Sequence, residues 1–354
     1  MGEFLEQAGG WFLASGIQEP SGGVARYYRA EAGRNQPVSN EITGYAASAL
    51  TLLHSRTGEA RYREAAVRAA RYLSREAWEG ASSTFPFEPG SDRAYFFDIG
   101  IIVRGLLAAW RATGDDEFGE RAREGALSLA FDFLGEGQFH PVITLPDKQP
   151  LAYEPRWSRM PGCYQLKSAL AWRDVAGACG EEHAARLFES ALAGSLRTHE
   201  AFLPGEADQE KVMDRLHAYC YFLEGLLRVA DRDEVRRALA DGVAKAATLL
   251  REIAPQFERS DVSAQLLRIR LIAHHQGALP IDDGAAQEEA GRLLCFQISG
   301  QSDPRLDGGF WFGRKPGAML PFANPVSTAF AMQALALWQD HQAGRWSFEL
   351  HHLI

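Results

Sequence analysis

Two acidic residues stand at matching places in two similar stretches of the chain. Asp98 opens the apolar run of YFFDIGIIVRGLLAAWRATGDDEF (residues 95–118), and Glu41 opens that of NEITGYAASALTLLHSRTGEARY (residues 40–62). Both run acid, Gly, apolar helix, Thr-Gly, acidic residue, aromatic. A carboxyl group set among aromatics, as Asp98 is beside Tyr95, Phe96 and Phe97, loses solvation in its charged form. Its pKa rises, and it can hold a proton for transfer near neutral pH. A second carboxylate can then serve as base or nucleophile.

Comparable polar residues open the other apolar runs: Tyr164 and Gln165, Asp214 with Arg215 and His217, Asp261, and Asn324. Aligning the Thr-Gly and Gly-Leu-Leu landmarks puts Glu41, Phe97 and His217 in equivalent positions, with Asp98 one residue further in. Each has a plainer explanation. Asp98 and Asp261 are good N-cap types, and Asn324 before Pro325 is a strong cap signal. Glu41 can complement the helix dipole, and His217 in HAYCYF can be a core histidine with one hydrogen bond. Glu224 and Arg104 occupy the same position in two apolar helices (LEGLL, VRGLL); a buried acid and base should be paired, which predicts a structural ion pair or a floor for the cavity.

The elements that position these residues come in pairs of helical period. Apolar 41–55 precedes charged, amphipathic 59–75; 98–112 precedes 115–134; 163–177 precedes 181–198; 215–230 precedes 232–252; 261–275 precedes 284–297. The last apolar helix, 325–340, finds its partner in the N-terminal helix, 2–15, which closes a ring. Each first member is apolar nearly all round and must be buried on most sides, whereas each second member carries a charged face for solvent. Thr57-Gly58, Thr113-Gly114 and Gly180 supply short connectors with glycine free to take the αL cap. Strand signals are nearly absent. Six buried helices paired with six amphipathic ones predict an all-α fold, an (α/α)6 toroid spanning 1–354 as one domain. The pairs are spaced more widely than the units of open solenoids. The long links, 76–97, 135–162, 199–214 and 298–324, all precede inner helices and so gather on one face, with the helix N-termini that favour anions or acidic groups.

Composition narrows the classes. The 354 residues carry a net charge of −9 and no Lys/Arg-rich run, which speaks against a nucleic-acid partner. Cys163, Cys179, Cys220 and Cys295 are widely spread with no CxxC pair, so they predict reduced thiols rather than disulfides or structural zinc. No metal and no cofactor are expected. No apolar run approaches the roughly 18 residues of a membrane span, and the acidic N-terminus lacks the pattern of a signal peptide. The expected location is cytoplasmic.

The phrase GLLAAWRATGDDEFGERARE resembles the hairpins of the six-hairpin (α/α)6-toroid carbohydrate-active proteins. These include unsaturated glucuronyl hydrolases, N-acylglucosamine 2-epimerases, glucuronyl epimerase-type domains and polysaccharide lyases. The resemblance implies a hydrolase acting on oligosaccharides, uronate-containing ones among them, with carboxylates at inner-helix starts. Asp98 maps best as the general acid/base, with Glu41, Asp214 or Asp261 as the second carboxylate. An epimerase-type mechanism implies two histidines, for which the chain offers His217 and His140. A lyase implies a base and a group that neutralises a carboxylate, supplied in type by Tyr219, His217, Arg215 and Asn324. Trp157, Tyr164, Tyr221 and Trp311 suit sugar stacking, and Tyr45, Tyr95, Gln165 and Asp307 complete the candidate substrate contacts. Two other classes stay open. RLDGGFWFGRKPG resembles the Gly-Gly-Phe loops of prenyltransferase β-subunits and terpenoid cyclases, although DxDD and DDxxD are missing. The third is a ring that binds a glycan or protein without turnover.

Overall fold

The computed structural model describes residues 3–354, the side chains of Glu3 and Cys179 apart. Gly2, where the expected first helix begins, lies outside them. Twelve α-helices follow in order among the described residues: α1 (Glu3–Ala14), α2 (Asn40–Thr57), α3 (Ala60–Tyr72), α4 (Phe96–Thr113), α5 (Asp116–Phe131), α6 (Gln165–Cys179), α7 (Glu182–Thr198), α8 (Gln209–Leu226), α9 (Asp233–Ile253), α10 (Ser260–His275), α11 (Asp283–Leu294) and α12 (Pro325–Gln342). The expected alternation holds. In α4 every residue from Phe96 to Ala109 is buried, and in α12 every residue from Pro325 to Leu337.

The chain divides into two compact units. One comprises residues 18–26 and 37–198. Here α2, α4 and α6 pack side by side, flanked by α3, α5 and α7. The helices approach closely where glycine leaves room. A Cβ on Gly44 would stand 2.9 Å from the Ile102 Cα, and one on Gly105 would run into the Gly44 carbonyl oxygen. The Thr-Gly echo is a turn device. Gly58 and Gly114 take the αL conformation (φ 72° and 70°), and their N–H groups close on His54 and Trp110. The Thr57 and Thr113 hydroxyls each accept the N–H two residues on.

The other unit comprises residues 1–17, 27–36 and 199–354. In it α8, α10 and α12 pack together, with α9 and α11 against them and α1 in contact with α12. Helix α8 begins six residues before the expected start, because Asp208 caps it by accepting the Glu210 N–H. Asp214, Arg215 and His217 therefore sit in the body of α8 rather than at its opening.

The long links are not structureless. Among the described residues eight short strands lie between the helices, five of them (β3, β4, β6, β7 and β8) in the long links: β1 (Tyr28–Arg29), β2 (Arg34–Asn35), β3 (Arg93–Tyr95), β4 (Val142–Thr144), β5 (Glu258–Arg259), β6 (Gly313–Lys315), β7 (Ala318–Met319) and β8 (Phe322–Ala323). All pairings are antiparallel. In the first unit β3 pairs with β4, Tyr95 opposite Val142; in the second, β1 bridges β2 and β8, and β6 bridges β5 and β7. Strands of two or three residues show no period-two alternation, which is why the sequence pattern misses them. β3 runs directly into α4 and β5 into α10, so two of the helix starts that carry acids are anchored by strand pairing.

Candidate functional site

Within the first unit, Glu41 is the second residue of α2 and Asp98 the third of α4. Neither caps its helix. Ser39 caps α2 through the Ile42 N–H, and the N-cap position of α4 is Tyr95, which makes no side-chain cap bond. Asp98 is only 7% exposed, and its Oδ2 has no hydrogen-bond partner. A buried, unpartnered carboxyl oxygen costs stability, so a helix-starting role does not account for it.

The electrostatics of the two acids are linked. Burial raises the Glu41 carboxyl to about 7, with the Arg26 charge pulling the other way. Burial, then the charge of Glu41, pushes Asp98 well above the ordinary carboxylate range, and Arg26 again opposes. Such a pair gives up its protons in two shared steps. Arg26 is itself held by Glu88 (3.0 Å) and lies over the Phe87 ring. Aromatics surround the pair's helix starts: Phe87 with Tyr95, Phe97 with Tyr164, and Tyr164 with Trp157. The buried Tyr164 hydroxyl donates to the Met160 carbonyl (3.1 Å), and burial, Cys163 and Asp98 raise its pKa. Tyr45, one turn beyond Glu41, is buried at 2% exposure.

In the second unit a different set forms around Arg259, at the end of β5. Its guanidinium grips Asp261 through two bonds (3.0 and 2.6 Å) and reaches Asp214 (2.7 Å) while lying over the Phe312 ring. Burial alone would raise the Asp261 pKa, but Arg259 and His217 bring it below the ordinary value. Neither Asp214 nor Asp261 is thus an uncommitted carboxylate. His217 Nδ1 lies 2.7 Å from Gln265 Oε1 and 3.7 Å from Asp261, and its ring meets Tyr221 edge-on. Burial and then Arg259 lower its pKa to about 4, so it is neutral at pH 7. The Gln265 Nε2, fully buried, has no partner.

Other candidates have local duties. Arg215 donates twice to the Phe202 carbonyl (3.0 and 2.6 Å) and covers that ring. The Tyr219 hydroxyl pairs with His199 Nδ1 (3.2 Å), and Asn324 caps α12 through the Val326 and Ser327 N–H groups. Gln165 braces the loop before α6, receiving the Gly162 N–H and donating to Phe139. Exposed Asp307 accepts the Gln301 N–H, and the Trp311 carbonyl accepts from Ser260. His140 contacts Tyr153 on an exposed loop (2.9 Å). The four residues that a lyase would need are thereby spent on separate contacts. Arg104 and Glu224 are each ion-paired, with Asp174 (3.0 Å) and Arg268 (2.7 Å) on neighbouring helices of their own units.

Sequence patterns missed Arg26 and Arg259. Arg26 lies in an irregular segment with no periodicity to mark it. Arg259 had a signal, since it stands two residues before Asp261 in ERSD.

No protein-family model matches the chain, and no curated protein matches it by sequence. Solved structures do. The chain is similar to a sugar epimerase from a ruminal bacterium (TM-score 0.69, 12% identity, covering 91% of this chain and 94% of that one). It is similar to the cellobiose 2-epimerase of Spirochaeta thermophila (TM-score 0.69, 15% identity, 94% and 96%). It is also similar to a family 76 glycoside hydrolase from a bovine Bacteroides thetaiotaomicron strain (TM-score 0.63, 10% identity, 96% and 78%). The fold is the (α/α)6 toroid, as the helix pairing predicts.

Proposed function

We propose that this (α/α)6 toroid is a carbohydrate-active enzyme, and that Asp98 and Glu41 are the acid and base of a glycoside hydrolase. The observation that carries this reading is the linked pair itself: two carboxyls at adjacent helix starts, both raised, with the Asp98 Oδ2 unpartnered. Asp98, raised by burial and by its neighbour's charge, keeps the proton that a glycosidic oxygen needs. Glu41, at about 7, ionises first and activates water or attacks the sugar carbon. Their separation around the bound sugar sets retention or inversion of configuration. Trp157 and Tyr95, both part-exposed, offer faces for sugar rings. The substrate class is an oligosaccharide, in keeping with the sugar-processing proteins that share the fold. Arg215 is engaged by Phe202, so a uronate carboxylate would rely on Arg26 instead. A cytoplasmic location belongs to the same proposal, supported by cysteines at positions 163, 220 and 295 that form no disulfide. Among the described residues no helix is long and apolar enough to cross a membrane.

A second reading is a sugar epimerase. His217 favours it, being neutral at pH 7 and held through Nδ1 by Gln265. With Gln265 Oε1 as acceptor, Nε2 keeps its lone pair for taking a proton from carbon. A pKa of about 4 makes it a weak base, and its contacts among the described residues are Gln265, Asp261 and Tyr221 rather than a second histidine. The hydrolase reading therefore stands first.

Incubation with a panel of oligosaccharides in D2O, followed by proton NMR, tests both. Hydrolysis yields new reducing ends without deuterium on carbon. Epimerisation places deuterium at the carbon that inverts. Unchanged sugars throughout the panel would defeat the enzymatic reading and leave a binding ring.

A further inference from the structure

Three histidines of the second unit meet away from the acids just described. His274 and His275 end α10, and His341 lies in the last turn of α12. One ring nitrogen from each falls within 4.8 Å of the others. Asp261 opens the helix that His274 and His275 close, so about 20 Å of helix separates the two places.

We propose that His274, His275 and His341 form a binding site for one divalent transition-metal ion of the zinc class. Imidazole nitrogen suits zinc, copper, nickel and cobalt, and it does not suit magnesium or calcium. The His275 Nε2 and His341 Nδ1 are 3.1 Å apart. Two ligands about 2.05 Å from a tetrahedral zinc are separated by roughly 3.3 Å, so these nitrogens already stand near ligand spacing. His274 closes the set by a side-chain rotation.

The surroundings hold the ligands as a metal site requires. The other nitrogen of His341, Nε2, lies 3.0 Å from the Asp283 carboxylate at the start of α11. A carboxylate behind a ligating histidine fixes its tautomer, directs its free lone pair at the metal and raises its basicity. Trp346 stacks on His275 at 3.7 Å with the rings 9° from parallel, and Trp338 stacks on His341. Both rings are thus oriented before any ion arrives. With three protein ligands the fourth position stays open to water. A bound ion would tie the ends of α10 and α12 and, through Trp346, the segment after α12.

The test uses full-length, tag-free protein stripped with a chelator and titrated with Zn2+ alone by calorimetry, with Co2+ as a spectroscopic probe. The expected result is one equivalent bound, with the visible bands of Co2+ held by nitrogen ligands, displaced by Zn2+. His275→Ala and His341→Ala should each weaken binding at least tenfold, and Asp283→Asn, on a largely exposed residue, by about 10–100-fold with the fold intact. His183→Ala, on an exposed histidine elsewhere, should leave it unchanged. Absence of one-equivalent binding overturns the proposal. So does binding that these three variants leave within twofold of the parent protein.

Discussion

Glu41 in the first turn of α2 and Asp98 in the first turn of α4 titrate as one system, Asp98 buried and Glu41 part-buried, with the charge of Glu41 raising Asp98. Removing that charge has a defined consequence. In Glu41→Gln the Asp98 carboxyl should titrate at lower pH than in the parent protein, because only burial then raises it. Carboxyl 13C NMR measures this directly. An Asp98 titration that stays put in the variant would mean that the two acids are electrically independent.

The same pair costs the folded protein stability. Both folded-state pKa values are raised, so the stabilisation they contribute is complete below their unfolded values near 4 and is lost as pH rises through the folded ones, about 7 for Glu41. Above that pH the native state must carry a buried negative charge. Asp98→Asn removes, at constant shape, the cost of holding Asp98 protonated at a pH where the unfolded chain ionises it. Its Tm should exceed that of the parent by about 2–4 °C at pH 8 and match it at pH 4. Equal melting at both pH values would contradict the assigned burial cost.

Arg259 makes the opposite kind of claim. It neutralises Asp261, which is 2% exposed, through two hydrogen bonds. Arg259→Ala leaves that carboxylate buried without a counter-charge, at a cost of about 3–5 kcal/mol at pH 7. Urea unfolding reads the loss. Because the Asp261 pKa is depressed, its contribution is present above its unfolded value and fades as pH falls through the folded one. The penalty should therefore shrink in acid. A loss below about 1 kcal/mol at pH 7 would show that Arg259 does not hold this cluster together.

Gly105 tests the packing of α2 on α4. An added Cβ would meet the Gly44 carbonyl, which is backbone and cannot swing aside. Gly105→Ala should destabilise by about 1–3 kcal/mol, and urea unfolding with an unchanged m-value would confirm it. Neutral substitution would mean that the two helices are less close than described.

Much of this was legible in the sequence because helical period survives in every pair. The Thr57-Gly58 and Thr113-Gly114 turns, the cap at Asn324 and the need of buried Arg104 and Glu224 for opposite charges all follow from local rules, although their partners, Asp174 and Arg268, do not. What was not legible depends on distant partners. Nothing near Arg26 indicates that it faces Glu41 and Asp98, and nothing near Asp214 indicates Arg259. Helix α8 starts six residues ahead of its apolar pattern because the polar segment ADQEKVMDR carries the Asp208 cap. The acids of the chain look alike as letters, yet Asp98 keeps an unpartnered oxygen while Asp261 is clamped. Burial and a single arginine make that difference.

The central claim is that Asp98 donates the proton in carbohydrate turnover, and the rate of Asp98→Asn on a sugar substrate tests it most directly. With folding verified by Tm, the account predicts that kcat falls about 10²–10⁴-fold with KM little changed. An Asp98→Asn protein that turns over the same sugar at the parent rate would contradict it.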